Sequence, residues 1–204
     1  ASGSTSIGFQ AGDAITTASG SVFVGADAGG NVQTGNMNIA VGNNAMNAGV
    51  TGDNNIAIGA SAGDALTSGY SNTFLGNDSG GTITTGHSNT FIGKNAATNN
   101  NSGTQKTTAI GASAGANGDS DESVFIGFAA AGSGTKTNAT DGTVAIGKSS
   151  LGALTEGIGN TAIGYQALLA EDDGDHSTAV GYHALKAQTG TTGEVANTAV
   201  GYQA

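Results

Sequence analysis

One short pattern of apolar and small positions recurs along the whole chain. A β-branched residue, a small residue or Phe, an Ile, Val or Leu, and then Gly follow one another twelve times. The glycines are Gly8, Gly25, Gly42, Gly59, Gly76, Gly93, Gly111, Gly127, Gly147, Gly164, Gly181 and Gly201. The first five steps are 17 residues long and the later ones run from 16 to 20. Three places past each Gly stands Ala or Ser, from Ala11 through Ser79 to Ala204. β-Branched residues favour extended backbone, and side chains two apart on a strand share a face. Each unit therefore predicts a short strand such as Ile56–Ile58, closed by a Gly that permits a turn or a close backbone approach. A second Gly seven residues earlier, as at Gly35, Gly52, Gly69, Gly86 and Gly157, marks a return turn.

The period predicts the architecture. Seventeen residues hold one coil: a strand, a turn, a second short strand around the Ala or Ser, and a return turn. Coils stacked in parallel satisfy one another's backbone hydrogen bonds. The expected fold is all-β, a parallel β-roll or β-solenoid of about twelve 17-residue coils, with residues 1–204 forming a single repeat domain. Pairs such as Val22 with Val24 and Ile56 with Ile58 are expected to face the interior. The residue between them (Phe23, Ala40, Ala57, Phe74, Phe91, Phe125, Ala162) then faces outward, as an Ala/Phe stripe that sister chains would cover. Asn38, Asn55, Asn72, Asn89, Asn160 and Asn197 all stand four places before a Gly. They are expected to stack and hydrogen-bond from coil to coil. Phe23 with Phe74, Asp13 with Asp64 and Asp27 with Asp78 are 51 apart, which points to duplication of a three-coil unit.

Composition narrows the functional classes. The chain has 37 Gly and no Cys, Pro or Trp, so disulfides, thiolate metal sites and cysteine nucleophiles are excluded, and helix is disfavoured throughout. Fifteen acidic residues against five Lys give a net charge of -10, which argues against nucleic acid or an anionic membrane as partner. No apolar run approaches the roughly 18 residues that a membrane span needs. The chain begins at Ala1 and stops inside a repeat, and it reads as a segment of a longer protein.

The units Asn160–Leu168 (Asn-Thr-Ala-Ile-Gly-Tyr-Gln-Ala-Leu) and Asn197–Ala204 resemble the repeats of trimeric bacterial adhesins and bacteriophage tail fibres. Asn55–Ala62 resembles the head repeat of YadA-like trimeric autotransporter adhesins, although this chain's unit is longer than that family's. The resemblance covers essentially the whole chain. It implies a left-handed parallel β-roll, assembly as a homotrimer, and an extracellular place on a bacterial surface or a virion tail fibre. The implied role is structural or adhesive, supporting attachment to a host surface, with glycans as candidate ligands.

Candidate contact residues fall in three places. Tyr165, Tyr182 and Tyr202 each follow the repeat Gly, and Tyr165 and Tyr182, in successive coils, would stack as a ladder, the rings offered to sugars or filling space between chains. The two stretched units, 132–142 and 186–194, bring Lys136, Asn138, Asp141, Lys186, Gln188 and Glu194. An acidic turn brings Asp172, Asp173 and His176, with Asp175, where a divalent cation is conceivable, but no established calcium-loop pattern is present. No metal, cofactor or catalytic residue is assigned. The enzymatic alternative, a polysaccharide-degrading tailspike, would need a carboxylate pair such as Asp121–Glu122 or Asp172–Asp173. Adjacent acids on a loop are a weak warrant for that chemistry, so the chain reads as a non-enzyme. An ice-binding solenoid would need a flat Thr array. Thr161, Thr178 and Thr198 share a phase, but Val22, Ile39 and Ile56 interrupt it on a face expected to be interior.

Overall fold

The computed structural model describes residues 3–100, 102–118, 120–134, 136, 140–190 and 193–204. The chain is an all-β parallel β-solenoid of about eleven turns with coils of about 17 residues. Twelve repeat strands delimit those turns, and no helix occurs among the described residues. Its contacts cluster into two compact units, 1–105 and 106–204.

The first unit carries β1 (Thr5–Ile7), β2 (Val22–Val24), β3 (Ile39–Val41), β4 (Ile56–Ile58), β5 (Thr73–Leu75) and β6 (Thr90–Ile92). Each pairs in parallel with the next, repeat residue over repeat residue: Val22 on Ile39, Ile39 on Ile56, Ile56 on Thr73. The second unit carries β7 (Thr108–Ile110), β8 (Val124–Ile126), β9 (Val144–Ile146), β10 (Thr161–Ile163), β11 (Gly174–Asp175), β12 (Thr178–Val180), β13 (Gly193–Glu194) and β14 (Thr198–Val200). Here β7 to β10, then β12 and β14, pair in the same register, and β11 pairs separately with β13.

The expected second strand around the Ala or Ser is absent in the regular coils; that stretch is a chain of turns. The amide of Ala28 bonds back to the Gly25 carbonyl, and Ala62 to Gly59. Left-handed residues recur there at fixed phases. In the third coil they are Met37, Asn44 and Met46, with φ of 54°, 56° and 49°, and Gly42 has φ 138°. This repeated local handedness bends so short a period back on itself. The Gly column has a second, steric requirement. A β-carbon on Gly59 would lie 2.5 Å from the Gly76 carbonyl, because successive coils touch backbone to backbone there.

The interior is the reverse of the expectation. Phe23, Ala40, Ala57, Phe74, Phe91, Ala109, Phe125, Ala145, Ala162 and Ala179, the middle residues of the strands, are completely buried. Their neighbours are half-buried or exposed and point outward, as with Val22 and Val24 or Ile56 and Ile58. The Ala/Phe stripe is thus the core of the coil, and no sister chain is needed to cover it. The reason is width: the interior must also hold the buried Ala28, Ala45 and Ala62 of the turns and apolar plugs such as Val32, Leu66 and Ile83. Two branched residues per strand would overfill it.

The Asn ladder forms as expected. Asn38, Asn55, Asn72 and Asn89 are buried, and the Oδ1 of each of the first three accepts from both the backbone amide and the Nδ2 of the Asn one coil on, at 2.8–3.1 Å. Each Nδ2 also donates to a turn carbonyl, Asn55 to Gly69 at 2.9 Å and Asn72 to Gly86 at 2.8 Å. Asn160 makes the same contacts, to the Gly174 carbonyl and from the Ser177 amide. Asn197 is exposed and bonds to Gln188 instead.

Candidate functional site

The tyrosines do form a ladder. Tyr165 stacks on Tyr182 at 5.2 Å between ring centroids and 15° between planes, and Tyr182 on Tyr202 at 5.3 Å and 9°. In-register stacking of coils puts one ring on each rung, at the first position after the repeat Gly. His183 tilts against Tyr182 at 3.9 Å, and burial, then the charge of Lys186, holds its imidazole below the usual range. Lys148 continues the column on the other side, its Nζ 5.9 Å from the Tyr165 ring and 5.7 Å from that of Phe128. The rings lie face against face, so their edges meet solvent while the faces between rungs are occupied by one another. A sugar that stacks flat on an aromatic face therefore has no open ring face between Tyr165, Tyr182 and Tyr202.

The stretched units place their residues differently from one another. Lys136 is turned into the core, 4% exposed, whereas Asp141 stays outside and its Oδ1 accepts the Asp121 amide at 3.0 Å. Asn138 lies outside the described residues. Gln188 of the second stretch donates to Glu171 at 2.6 Å and to Ser177 at 2.9 Å. An open recess of about 540 Å³ beside it is lined by His183, Leu185, Lys186, Gln188, Asn197 and Gln203.

At the acidic turn the structure brings Asp172 and Asp173 together with Glu171, their nearest oxygens within 4.8 Å of one another. Glu171 is fully buried and already engaged by the Gly174 amide at 2.8 Å and by Gln188. His176 is not part of that group: its Nδ1 lies 3.9 Å from Glu194. Asp175 accepts the Ile158 amide at 2.8 Å. Of the other proposed carboxylate pair, Glu122 is tied to Lys106 at 2.8 Å, whose hydrogen bond and charge hold its carboxyl below the usual range.

Two features were missed in the sequence. The first is an acidic pair, Asp64 and Asp78, in which burial and then the Asp78 charge push the Asp64 carboxyl up. Its counterparts 51 residues earlier, Asp13 and Asp27, line a polar recess of about 130 Å³ with Gln10, Asn31 and Asn47. The 51-residue echo was the available signal.

The second is the outer face of the sheet. Its two outward columns run, in the first unit, through Val22, Ile39, Ile56, Thr73 and Thr90 and through Val24, Val41, Ile58, Leu75 and Ile92, with no charge in either. Ile58 is 39% exposed and Leu75 41%. The second unit repeats the arrangement, from Thr108 and Ile110 to Thr198 and Val200. Alternation along each strand was the signal for this face as well, read with inside and outside exchanged.

No protein-family model, curated protein or solved structure compared with this chain matches it, so it is placed by its architecture: a β-solenoid repeat protein.

Proposed function

We propose that this chain is a structural and adhesive segment of a trimeric extracellular fibre, a surface adhesin or a phage tail fibre, that supports attachment to a host surface, with glycans as the ligand class. One observation carries the reading: the uncharged outer face of Thr, Val, Ile and Leu side chains. Long apolar patches of this kind mark association surfaces, and a chain of net charge -10 that keeps both columns free of charge has reserved that face for contact. Three copies of one chain would cover it by packing sheet against sheet. The resemblance of Asn160–Leu168 and Asn55–Ala62 to trimeric fibre repeats points the same way, and the reading assigns no catalytic role.

Sedimentation equilibrium tests the assembly. The expected species contains three 19.5-kDa chains, and Ile58→Lys with Ile163→Lys should reduce it to a folded monomer with unchanged circular dichroism. A wild-type chain that stays monomeric at all concentrations overturns the trimer. A glycan array probed with the purified trimer tests the adhesive half.

A second reading is favoured by one fact. The Thr phase of Thr73, Thr90, Thr161 and Thr178 points outward and not into the core. A monomer with a flat outward array of Thr and aliphatic residues has the surface an ice-binding solenoid uses. Thermal hysteresis in a monomeric preparation would support it, and its absence there removes it.

A further inference from the structure

The buried lysine of the second unit has a role that the fibre reading does not use. Regular coils close their core with an apolar plug, such as Leu66, Ile83 or Leu154. The coil that starts at Gly127 instead sends in the side chain of Lys136. Its Nζ donates to the carbonyls of Ala131 at 2.6 Å and Ala116 at 2.8 Å, and stands 5.7 Å from the centre of the Phe125 ring. The backbone of Lys136 is held at the same place. Its amide donates to the Asn117 carbonyl at 2.8 Å, and it bridges Gly118 in parallel. Gly118 is required there, because a β-carbon on it would lie 2.4 Å from the Cβ of Lys136.

Among the described residues, the elements packed on the amine bring carbonyls and a ring but no carboxylate. Ala116, Asn117 and Gly118 come from one side, Phe125 from β8, and Ala131 from its own coil. Of the described charged groups in the neighbouring coils, Lys106 is engaged with Glu122, Asp141 with the Asp121 amide, and Lys148 with Phe128 and Tyr165. An ammonium here is solvated by two carbonyls and a ring where water would supply more.

We propose that Lys136 is a proton-controlled latch: as the free amine it stays in the core and holds its backbone bridge to Gly118, and protonation favours its leaving the core and releasing that bridge. Burial alone lowers the amine to about 7 from its ordinary 10.5. Release therefore takes up one proton across that window. The released fraction rises about tenfold for each pH unit lost between 10.5 and 7, and levels off below 7.

Two measurements test this on the whole chain. In the wild-type protein, NMR of 13C-lysine should show one Cε signal, missing from the Lys136→Met spectrum, titrating near 7. If the Lys136 Cε shows no transition near 7, the latch is wrong. Exchange of the Lys136 amide, which donates to the Asn117 carbonyl, corrected for intrinsic chemistry, should report opening that grows about 50-fold from pH 9 to pH 7. In Lys136→Met the amide at position 136 should be protected equally at both pH values. A flat wild-type profile, or the wild-type slope persisting in Lys136→Met, overturns the proposal.

Discussion

A β-carbon on Gly63 would lie 2.6 Å from Cδ2 of the Phe74 ring in the following coil, and one on Gly80 would lie 2.7 Å from Cδ1 on its other edge. Phe23 sits in the same way between Gly12 and Gly29, at 2.8 and 2.4 Å. Where the strand offers only Ala and no ring intrudes from a neighbouring coil, the position four past the repeat Gly is filled. Met46 accompanies Ala40, Leu151 accompanies Ala145, and Leu168 accompanies Ala162, all fully buried. Core volume is thus shared between two positions and across adjacent coils.

This sharing predicts a coupled pair. Phe74→Ala alone should cost about 3–5 kcal/mol through the cavity it leaves. Gly80→Leu alone should cost about 3 kcal/mol, because the ring already fills the space. The double variant rebuilds the Ala162–Leu168 pairing and should recover about 2 kcal/mol or more of the summed loss, measured by urea denaturation. Strict additivity would contradict the shared-volume account.

The Asn ladder gives a second expectation. Asn72→Ala removes the Nδ2 bonds to the Asn55 Oδ1 and to the Gly86 carbonyl, and it strips the Asn89 backbone amide and Nδ2 of their shared acceptor. Buried groups left unpaired cost about 1–3 kcal/mol each, so a loss of about 3 kcal/mol is expected in chemical denaturation. Asn197→Ala, at the exposed end of the series, should fall within about 0.5 kcal/mol of wild type.

Glycine substitutions should separate into two classes. Gly59→Ala places a methyl group 2.5 Å from backbone that cannot yield, and it should prevent stacking of the fourth and fifth coils. Gly142, at φ 65°, has nothing within 4 Å of an added β-carbon. Gly142→Ala therefore meets only the left-handed backbone penalty, about 1 kcal/mol. Thermal melts of the two variants compare them directly.

Asp64 predicts a pH effect of known sign. Its folded carboxyl lies above the ordinary 3.8, raised by burial and by Asp78. The folded state therefore holds that proton more tightly than the unfolded chain. Its contribution is complete below 3.8 and is lost as pH rises through the elevated value. Asp64→Asn should accordingly raise the melting temperature at neutral pH, and the gain should vanish in acid below 3.8. An equal gain at every pH would mean that charge is not the cause.

The sequence by itself determined the solenoid, its 17-residue period, its in-register stacking and the buried Asn ladder. All four follow from a repeat whose local letters admit one backbone path, and a parallel stack places repeat residue over repeat residue. It also carried the tyrosine ladder, since rings at one phase of successive coils must meet. What it left open was which side of each strand is the inside. Alternation says that Ile56 and Ile58 share a face and that Ala57 takes the other, but it is symmetric to exchanging the two faces. Only the closed coil decided, because its left-handed turns curl toward the side of Ala57, and the narrow space they enclose admits one strand side chain. The same closure drew Lys136 inward, aligned the Tyr165, Tyr182 and Tyr202 rings face to face, and left the aliphatic columns on the outside. Those outcomes depend on volumes shared between coils, which a residue-by-residue reading of hydrophobicity does not contain.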